Sequence, residues 1–551
     1  MTQPLNWHFA ALWESIADFK PSAEALVDGD QRLTWREFDD RAAQLASCYQ
    51  QQGLQPGSKI AIYSFNCAEY LLAQYAAFKS GMCPVNVNYR YLQNELSYLI
   101  TNSDAELVIY QSSFADRLVT IQDELPKVRA FIEIGESTAQ SAELRDVIAF
   151  QDAWHNQPPL PRRTHEANDI YMIYTGGTTG NPKGVMYEQG IFSQLLTSLA
   201  MQYAGLEAPE RPENVIDGIA SLDVNGLSPR SIPACPLMHG TGMWIGALMP
   251  LSIGGTVVVY DNRSFSAEAL LSLAEREHVT EMAIVGDAFA TPITDELARA
   301  NERNRPYRLD AMRRISSSGV MFSSETKAKL LQAMDITIID SMGASEGSFA
   351  SSVVNRANVN DAKTASFQLS PLTKVLKDDG TEVTPGSGET GLLCSALLVP
   401  VGYYKDPVKS DATFKTIDGV RYTVPGDYAR IEADGSIILL GRGSTCINSG
   451  GEKIYPEEVE EAMKSHPEVY DCLVVGLPDP KFGQAVTAVY SIRPNGATDP
   501  AALKDFIRSN LADYKAPKHY VQVDAVPRAV NGKADYKTAK QMAEDAVNSQ
   551  H

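Results

Sequence analysis

At 551 residues the chain exceeds one ordinary hydrophobic core, so two or more domains are expected. A formal charge of −20 argues against a sequence-independent nucleic-acid binder, which needs a basic face, and against docking on an acidic membrane surface. Seven cysteines (Cys48, Cys67, Cys83, Cys235, Cys394, Cys446, Cys472) stand singly with no CxxC pair, which excludes the usual zinc and disulfide patterns and suits a reducing, cytoplasmic setting.

MTQPLNWHFAALWESIADF reads as an amphipathic helix without the basic, then apolar, order of a signal peptide, and no apolar run is long enough to span a bilayer. From Ala25 to Tyr110 short β-prone runs alternate with helical spacing. KIAIYSFN and CPVNVN are expected strands around the helix CAEYLLAQYAAFKSGM, which Gly81 closes. Such alternation predicts parallel α/β layers. Residues 150–169 are expected as a loop, GIFSQLLTSLAMQYAGL as a helix, and 205–232 as a long polar insertion. RRISSSGV and TIIDSMGA each read as a strand running into small residues, where α/β folds place ligands. Residues 366–440, with DDG, PGSGETG, TIDG and EADG turns, predict a β-rich lobe. Beyond Gly441 a small α+β domain is expected, opened by the helix in GEKIYPEEVEEAMKSHPEV with its early proline and paired acids. The expected architecture is α/β: a large multi-layer domain over 1–441 and a small mobile α+β domain over 442–551, with a hinge near 442–446.

The stretch YMIYTGGTTGNPKGVMY (171–187) passes from apolar strand to a Gly/Thr loop ending on Lys183. Its glycines allow close backbone approach, and the exposed N–H groups with three threonine hydroxyls form a nest for phosphate oxygens. It is not a Walker A loop, since no Gly-Lys is followed by Ser or Thr. The segment resembles the phosphate loop of the adenylate-forming superfamily, which includes acyl-CoA synthetases, firefly luciferase and adenylation domains of peptide synthetases. Further segments recur in that family's order. PLMHGTG (236–242) is similar to the segment carrying a histidine, here His239, beside the acyl site. SSGV (317–320), with Ser318 and Gly319, falls where the family turns by the adenine. DSMGASEG (340–347) resembles the YGxTE-type segment, with Asp340 and Ser341 leading in, Met342 where a tyrosine is common, Ser345 for threonine, and Glu346 as the acid. YTVPGD supplies Asp427, GRGSTCINSGGEKIYPEEVE (441–460) is the hinge segment, and PRAVNGKADYK supplies Lys533.

The resemblance implies an ATP-dependent carboxylate–CoA ligase working through an acyl adenylate, with Mg²⁺ and coenzyme A. By the same resemblance Thr175, Gly176, Gly177, Thr178, Thr179 and Lys183 hold the β- and γ-phosphates, and Ser318, Gly319, Asp340, Ser341 and Ser345 flank the nucleotide. Asp427 and Arg442 hold the ribose, Glu346 with Thr175 the metal, and Lys533 bridges carboxylate and α-phosphate. Gly450 and Gly451 line the coenzyme A path, and Thr445 is the hinge where the family has Asp or Lys. His239, Met243 and Trp244 form the acyl pocket, with the glycines of GTGMWIGALM giving room, so a medium- to long-chain or bulky apolar acid, of the steroid-side-chain kind, is expected. A homodimer is the expected assembly. The competing readings are a stand-alone enzyme loading a carrier protein and a non-catalytic nucleotide-binding regulator; Lys183, Glu346 and Lys533 speak against the second.

Overall fold

The computed structural model describes residues 5–549 except 156, 176–180, 365, 378, 443–446, 450–451, 480–482, 495, 512 and 530–531. The strand ahead of the Gly/Thr loop, Ile170–Thr175, sits in an eight-stranded sheet. From it the sheet runs through Cys83–Asn86, Lys59–Tyr63, Ala105–Gln111, Ala130–Ile134 and Val147–Ala149, all parallel, as strand–helix alternation requires. On its other side Lys183–Glu188 and Gly402–Tyr403 add antiparallel. The helix Ala68–Ser80 ends at Gly81, whose φ of 70° is the left-handed conformation that glycine adopts at least cost.

A second sheet has fifteen strands. Its parallel part runs Glu24–Asp28, Thr256–Val258, Arg230–Pro233, Glu281–Ile284, Arg314–Ser318, Thr337–Ala344. Thr337–Ala344 then folds back on Gly347–Val354, and the short strands of 366–442 extend the sheet antiparallel. The β-rich segment is thus continuous with the second sheet through the Ala350–Leu369 pairing. Between the layers lie the helices Phe9–Phe19, Trp35–Gln51 and Ala68–Ser80, packed on Trp13, Phe38, Tyr75 and Phe78, all buried.

Two loop expectations give way to structure. Residues 205–232 contain the helix Asn214–Val224, which buries Val215, Ile219 and Leu222, and begin the strand Arg230–Pro233 in the interior of the sheet. Apolar spacing of four and three is present there, but the surrounding Glu and Pro residues mask it. The stretch 150–169 starts with the short helix Phe150–Trp154.

The third sheet comprises Ile447–Ser449, Glu452–Ile454, Val469–Asp479, Gly483–Ile492 and His519–Gln522. Helices Pro456–Lys464 and Pro500–Asn510 close its core over Val459, Met463, Val474, Leu503 and Ile507. Strand Ser436–Arg442 still pairs in the second sheet, through Asp427 and Arg442, so the chain changes sheets between 442 and 447. Thr445, the expected hinge, lies outside the described residues.

Candidate active site

The parallel strands of both sheets end around one cavity of about 150 Å³, where open α/β sheets bind ligands. Thr175 closes strand Ile170–Thr175, and Ser318 with Gly319 closes Arg314–Ser318. Along Arg314–Ser318, Ser316 and Ser318 face the cavity. Ser317 faces away, and its hydroxyl accepts a 2.9 Å hydrogen bond from the Gly286 N–H. Gly319 has φ 94°, so the turn at this strand end favours the residue without a Cβ. On Thr337–Ala344 the same alternation turns Ser341 and Gly343 toward the cavity.

The segment after His239 is a π-helix, Thr241–Leu248. Its wide turn places Gly240, Trp244, Ile245 and Met249, four to five residues apart, on the cavity side. Trp244 is fixed by donating its indole N–H to the Tyr171 hydroxyl at 3.0 Å. His239 lines the same wall; loss of water, then the nearby charges of Lys533 and Arg90, lower its pKa to about 3. Its imidazole is therefore neutral at physiological pH. Lys533, from the third-sheet end of the chain, reaches the cavity on the other side.

Glu346 occupies the turn between Thr337–Ala344 and Gly347–Val354, half-buried. Its carboxylate accepts a 2.8 Å hydrogen bond from the Tyr403 hydroxyl. The Lys183 ammonium lies 5.3 Å from the centroid of the same ring and 3.2 Å from Asp406. An acid and a base far apart in sequence are thus held on one tyrosine, which Gly402–Tyr403 positions by pairing with Val185 and Met186. Among the described residues no group of three or more His, Cys, Asp or Glu could cage a metal ion. A lone carboxylate fits Mg²⁺ shared with substrate phosphates, the usual arrangement for that ion.

Of the residues expected at the site, Thr175, His239, Trp244, Ser318, Gly319, Ser341, Ser345 and Lys533 line the cavity together. Lys183 and Glu346 meet at Tyr403. Asp427 opens strand Asp427–Ile431 half-buried, with its backbone opposite Arg442. Three residues go elsewhere. Asp340 lies on the face of its strand away from the cavity and pairs with Lys327 at 2.7 Å, both side chains buried. Met342, two residues on, shares that face and packs with Phe349 and Leu393. Met243 is 2% exposed in the core, because the π-helix turns it away from the cavity. Of the glycines there, Gly240 lines the cavity but Gly242 and Gly246 make no room for a ligand. A Cβ on Gly242 would meet the Pro236 carbonyl oxygen at 2.3 Å, and one on Gly246 would meet Pro233 at 2.6 Å; both serve close packing. Gly176, Gly177, Thr178, Thr179, Gly450 and Gly451 lie outside the described residues, as does the side chain of Arg442.

Tyr403 and Tyr203 were not anticipated. The signal for Tyr203 is the helix Gln189–Tyr203, apolar on more than one face, with Leu195, Leu199 and Tyr203 four apart on the cavity side.

The sequence matches the family described as AMP-binding enzyme over residues 13–397, and the AMP-binding enzyme C-terminal domain over 458–533. A medium/long-chain-fatty-acid–CoA/3-oxocholest-4-en-26-oate–CoA ligase of Mycobacterium tuberculosis is 37% identical, covering 99% of this chain and 98% of its own. A 3-oxocholest-4-en-26-oate–CoA ligase of Rhodococcus rhodochrous is 36% identical, over 97% of this chain and 95% of its own. The crystal structure of the anthranilate CoA ligase AuaEII, 22% identical, aligns with a TM-score of 0.83 over 99% of both chains, a likeness of fold. On its sequence and its fold, the chain belongs to the AMP-binding enzyme family.

Proposed function

We propose that the protein joins a medium- to long-chain or bulky apolar carboxylic acid to coenzyme A at the expense of ATP. The carrying observation is one cavity that combines an apolar wall, Leu195, Leu199, Trp244, Ile245 and Met249, with a polar rim of Thr175, Ser318, Ser341, Ser345 and Lys533. Pockets of this composition orient a largely apolar ligand through a few polar groups. The acids named for the relatives from M. tuberculosis and R. rhodochrous have that character.

In this reading a carboxylate oxygen attacks the α-phosphorus, pyrophosphate leaves, and an acyl adenylate forms. The coenzyme A sulfur then attacks the acyl carbon, and AMP departs with the bonding electrons. Lys533 is the cation placed to draw carboxylate and α-phosphate together, since the neutral His239 contributes shape and a dipole but no charge. Lys183 and the 176–180 loop take the outer phosphates, and Asp427 with Arg442 the ribose. Glu346, oriented by Tyr403, would hold Mg²⁺, which supplies charge neutralisation at the phosphates. Thr445, between Arg442 of the second sheet and Ile447 of the third, is the pivot that lets the third-sheet domain withdraw Lys533 and bring Gly450 and Gly451 to the thiol. The six described cysteines are unpaired, five of them buried, which suits a reducing cytoplasm. A homodimer is the assembly to test by light scattering.

The deciding experiment measures pyrophosphate release and acyl-CoA by mass spectrometry over a panel of acids, with and without coenzyme A. Acyl-CoA from octanoate and larger acids supports the reading. Adenylate formation with no thioester would point to a carrier-protein acceptor, and no pyrophosphate with any acid would point to a non-catalytic regulator.

A further inference from the structure

One face of strand Arg314–Ser318 gives the cavity a direction. Ser318 and Ser316 line it, and Arg314 follows on the same face, with each step of two residues advancing about 6.6 Å. The cavity therefore runs from Ser318 and Gly319 at the mouth toward Arg314 at the far end. Helix Gln189–Tyr203 lies alongside and contributes Leu195, Leu199 and finally Tyr203.

At the far end the chain is clamped. The Arg314 guanidinium donates to the Tyr203 carbonyl oxygen at 2.6 Å, sits 5.6 Å from the centroid of the Tyr203 ring, and pairs through its other arm with Glu281. Arg314 is itself 8% exposed, so this anchor is rigid. The Tyr203 side chain lines the cavity beside this anchor. Its phenol lies near the side chain of Ser341, the strand neighbour of Ser318, and both residues line the cavity. With its backbone held at Arg314 and its phenol near Ser341, the Tyr203 ring lies along the inner part of the cavity. The space left, about 150 Å³, is that of a cavity that takes up benzene, which is small for the acids proposed above. Tyr203 is the last residue of its helix, followed by Ala204 and by Gly205 in the left-handed conformation, so no further helical turn confines its side chain.

We propose that Tyr203 is the specificity-determining residue that sets the length and bulk of the accepted acid, its ring leaving Ser341 to open the space in front of Arg314 for a longer substrate. This rests on the reading of the cavity as the acyl site of an acid–thiol ligase.

The test compares the parent, Tyr203→Ala and Tyr203→Trp in ATP-dependent pyrophosphate release with saturated acids of six to sixteen carbons. Tyr203→Ala is expected to raise kcat/KM for hexadecanoate relative to hexanoate about tenfold, roughly the worth of two further buried methylenes, with the change carried by KM. Tyr203→Trp is expected to lower the same ratio. An unchanged ratio in Tyr203→Ala, or a shift of the same sign in both variants, overturns the proposal. If Tyr203→Ala does not fold, Tyr203→Leu replaces it under the same criteria. Failure of the parent to release pyrophosphate with any acid would instead overturn the ligase reading, and the proposal with it. A parent that turns over while its variants keep its profile sinks the Tyr203 proposal alone.

Discussion

The Tyr403 hydroxyl donates a 2.8 Å hydrogen bond to Oε1 of Glu346, 57 residues earlier in the chain, while the Lys183 ammonium lies over the same ring. The bond fixes the direction of a half-buried carboxylate before any ligand arrives. A hydrogen bond to a charged group contributes about 1.5–3 kcal/mol. Tyr403→Phe is therefore expected to raise the Mg²⁺ concentration needed for half-maximal adenylation by roughly tenfold, with the fold retained. Glu346→Gln should raise it further while acid affinity changes little. Superimposable metal titrations of parent and Glu346→Gln would remove Glu346 from the metal site.

Lys533 is expected to serve only the first half-reaction. Lys533→Ala should reduce pyrophosphate release by at least about a hundredfold, in line with the loss of a stabilising charge at the reacting centre. Transfer to coenzyme A from a supplied acyl adenylate should stay near the parent rate. Equal loss of both steps in a folded variant would contradict the assignment.

Asp340 and Lys327 form an ion pair buried on both sides, at 2.7 Å, on the face of the strand opposite the cavity. Removing one partner leaves the other charge without compensation, which costs about 3–5 kcal/mol. Asp340→Leu is expected to lower the chemical denaturation midpoint sharply, and Asp340→Leu with Lys327→Met to recover most of the loss. The KM for ATP in the double variant should match the parent. A raised KM with unchanged stability would return Asp340 to the nucleotide.

His8 stacks on His165 with ring centroids 4.6 Å apart and planes 11° from parallel, and its Nε2 lies 3.5 Å from Asp169, the residue before strand Ile170–Thr175. Burial, the largest cause, lowers the His8 pKa from 6.5 to about 4. The unfolded chain therefore binds this proton more readily than the native one. The stability contribution is complete above pH 6.5 and is lost as pH falls toward 4, a loss of about 3 kcal/mol. His8→Gln should flatten the denaturation midpoint between pH 7 and 5. Parallel pH profiles for variant and parent would show that His8 is not the group responsible.

Much of this arrangement is legible in the residues themselves. The alternation of KIAIYSFN, CAEYLLAQYAAFKSGM and CPVNVN determines parallel pairing because strand and helix periods differ and each buries one face. The strand ends at Thr175 and Ser318, and the small residues from Ser341 on in Thr337–Ala344, announce themselves by apolar runs breaking into small and polar residues, and the cavity lies there. The helix Asn214–Val224 was hidden, since three buried apolar residues among Glu, Pro and Asp give a weak pattern until a neighbouring layer covers them.

What the sequence by itself determined is therefore local: element types, the order of the chemical segments, and family membership through that order. Tertiary structure alone decided which face of a strand meets the cavity. One step along Thr337–Ala344 separates Ser341, which lines it, from Asp340, which is buried on Lys327. It also decided the π-helical turn that presents Trp244 and withdraws Met243. The pairing of Gly402–Tyr403 with Lys183–Glu188 and the clamp of Arg314 on Tyr203 belong to the same class. These join residues far apart in the chain, and their partners are selected by the packing of whole sheets and helices, for which no short stretch of sequence carries a signal.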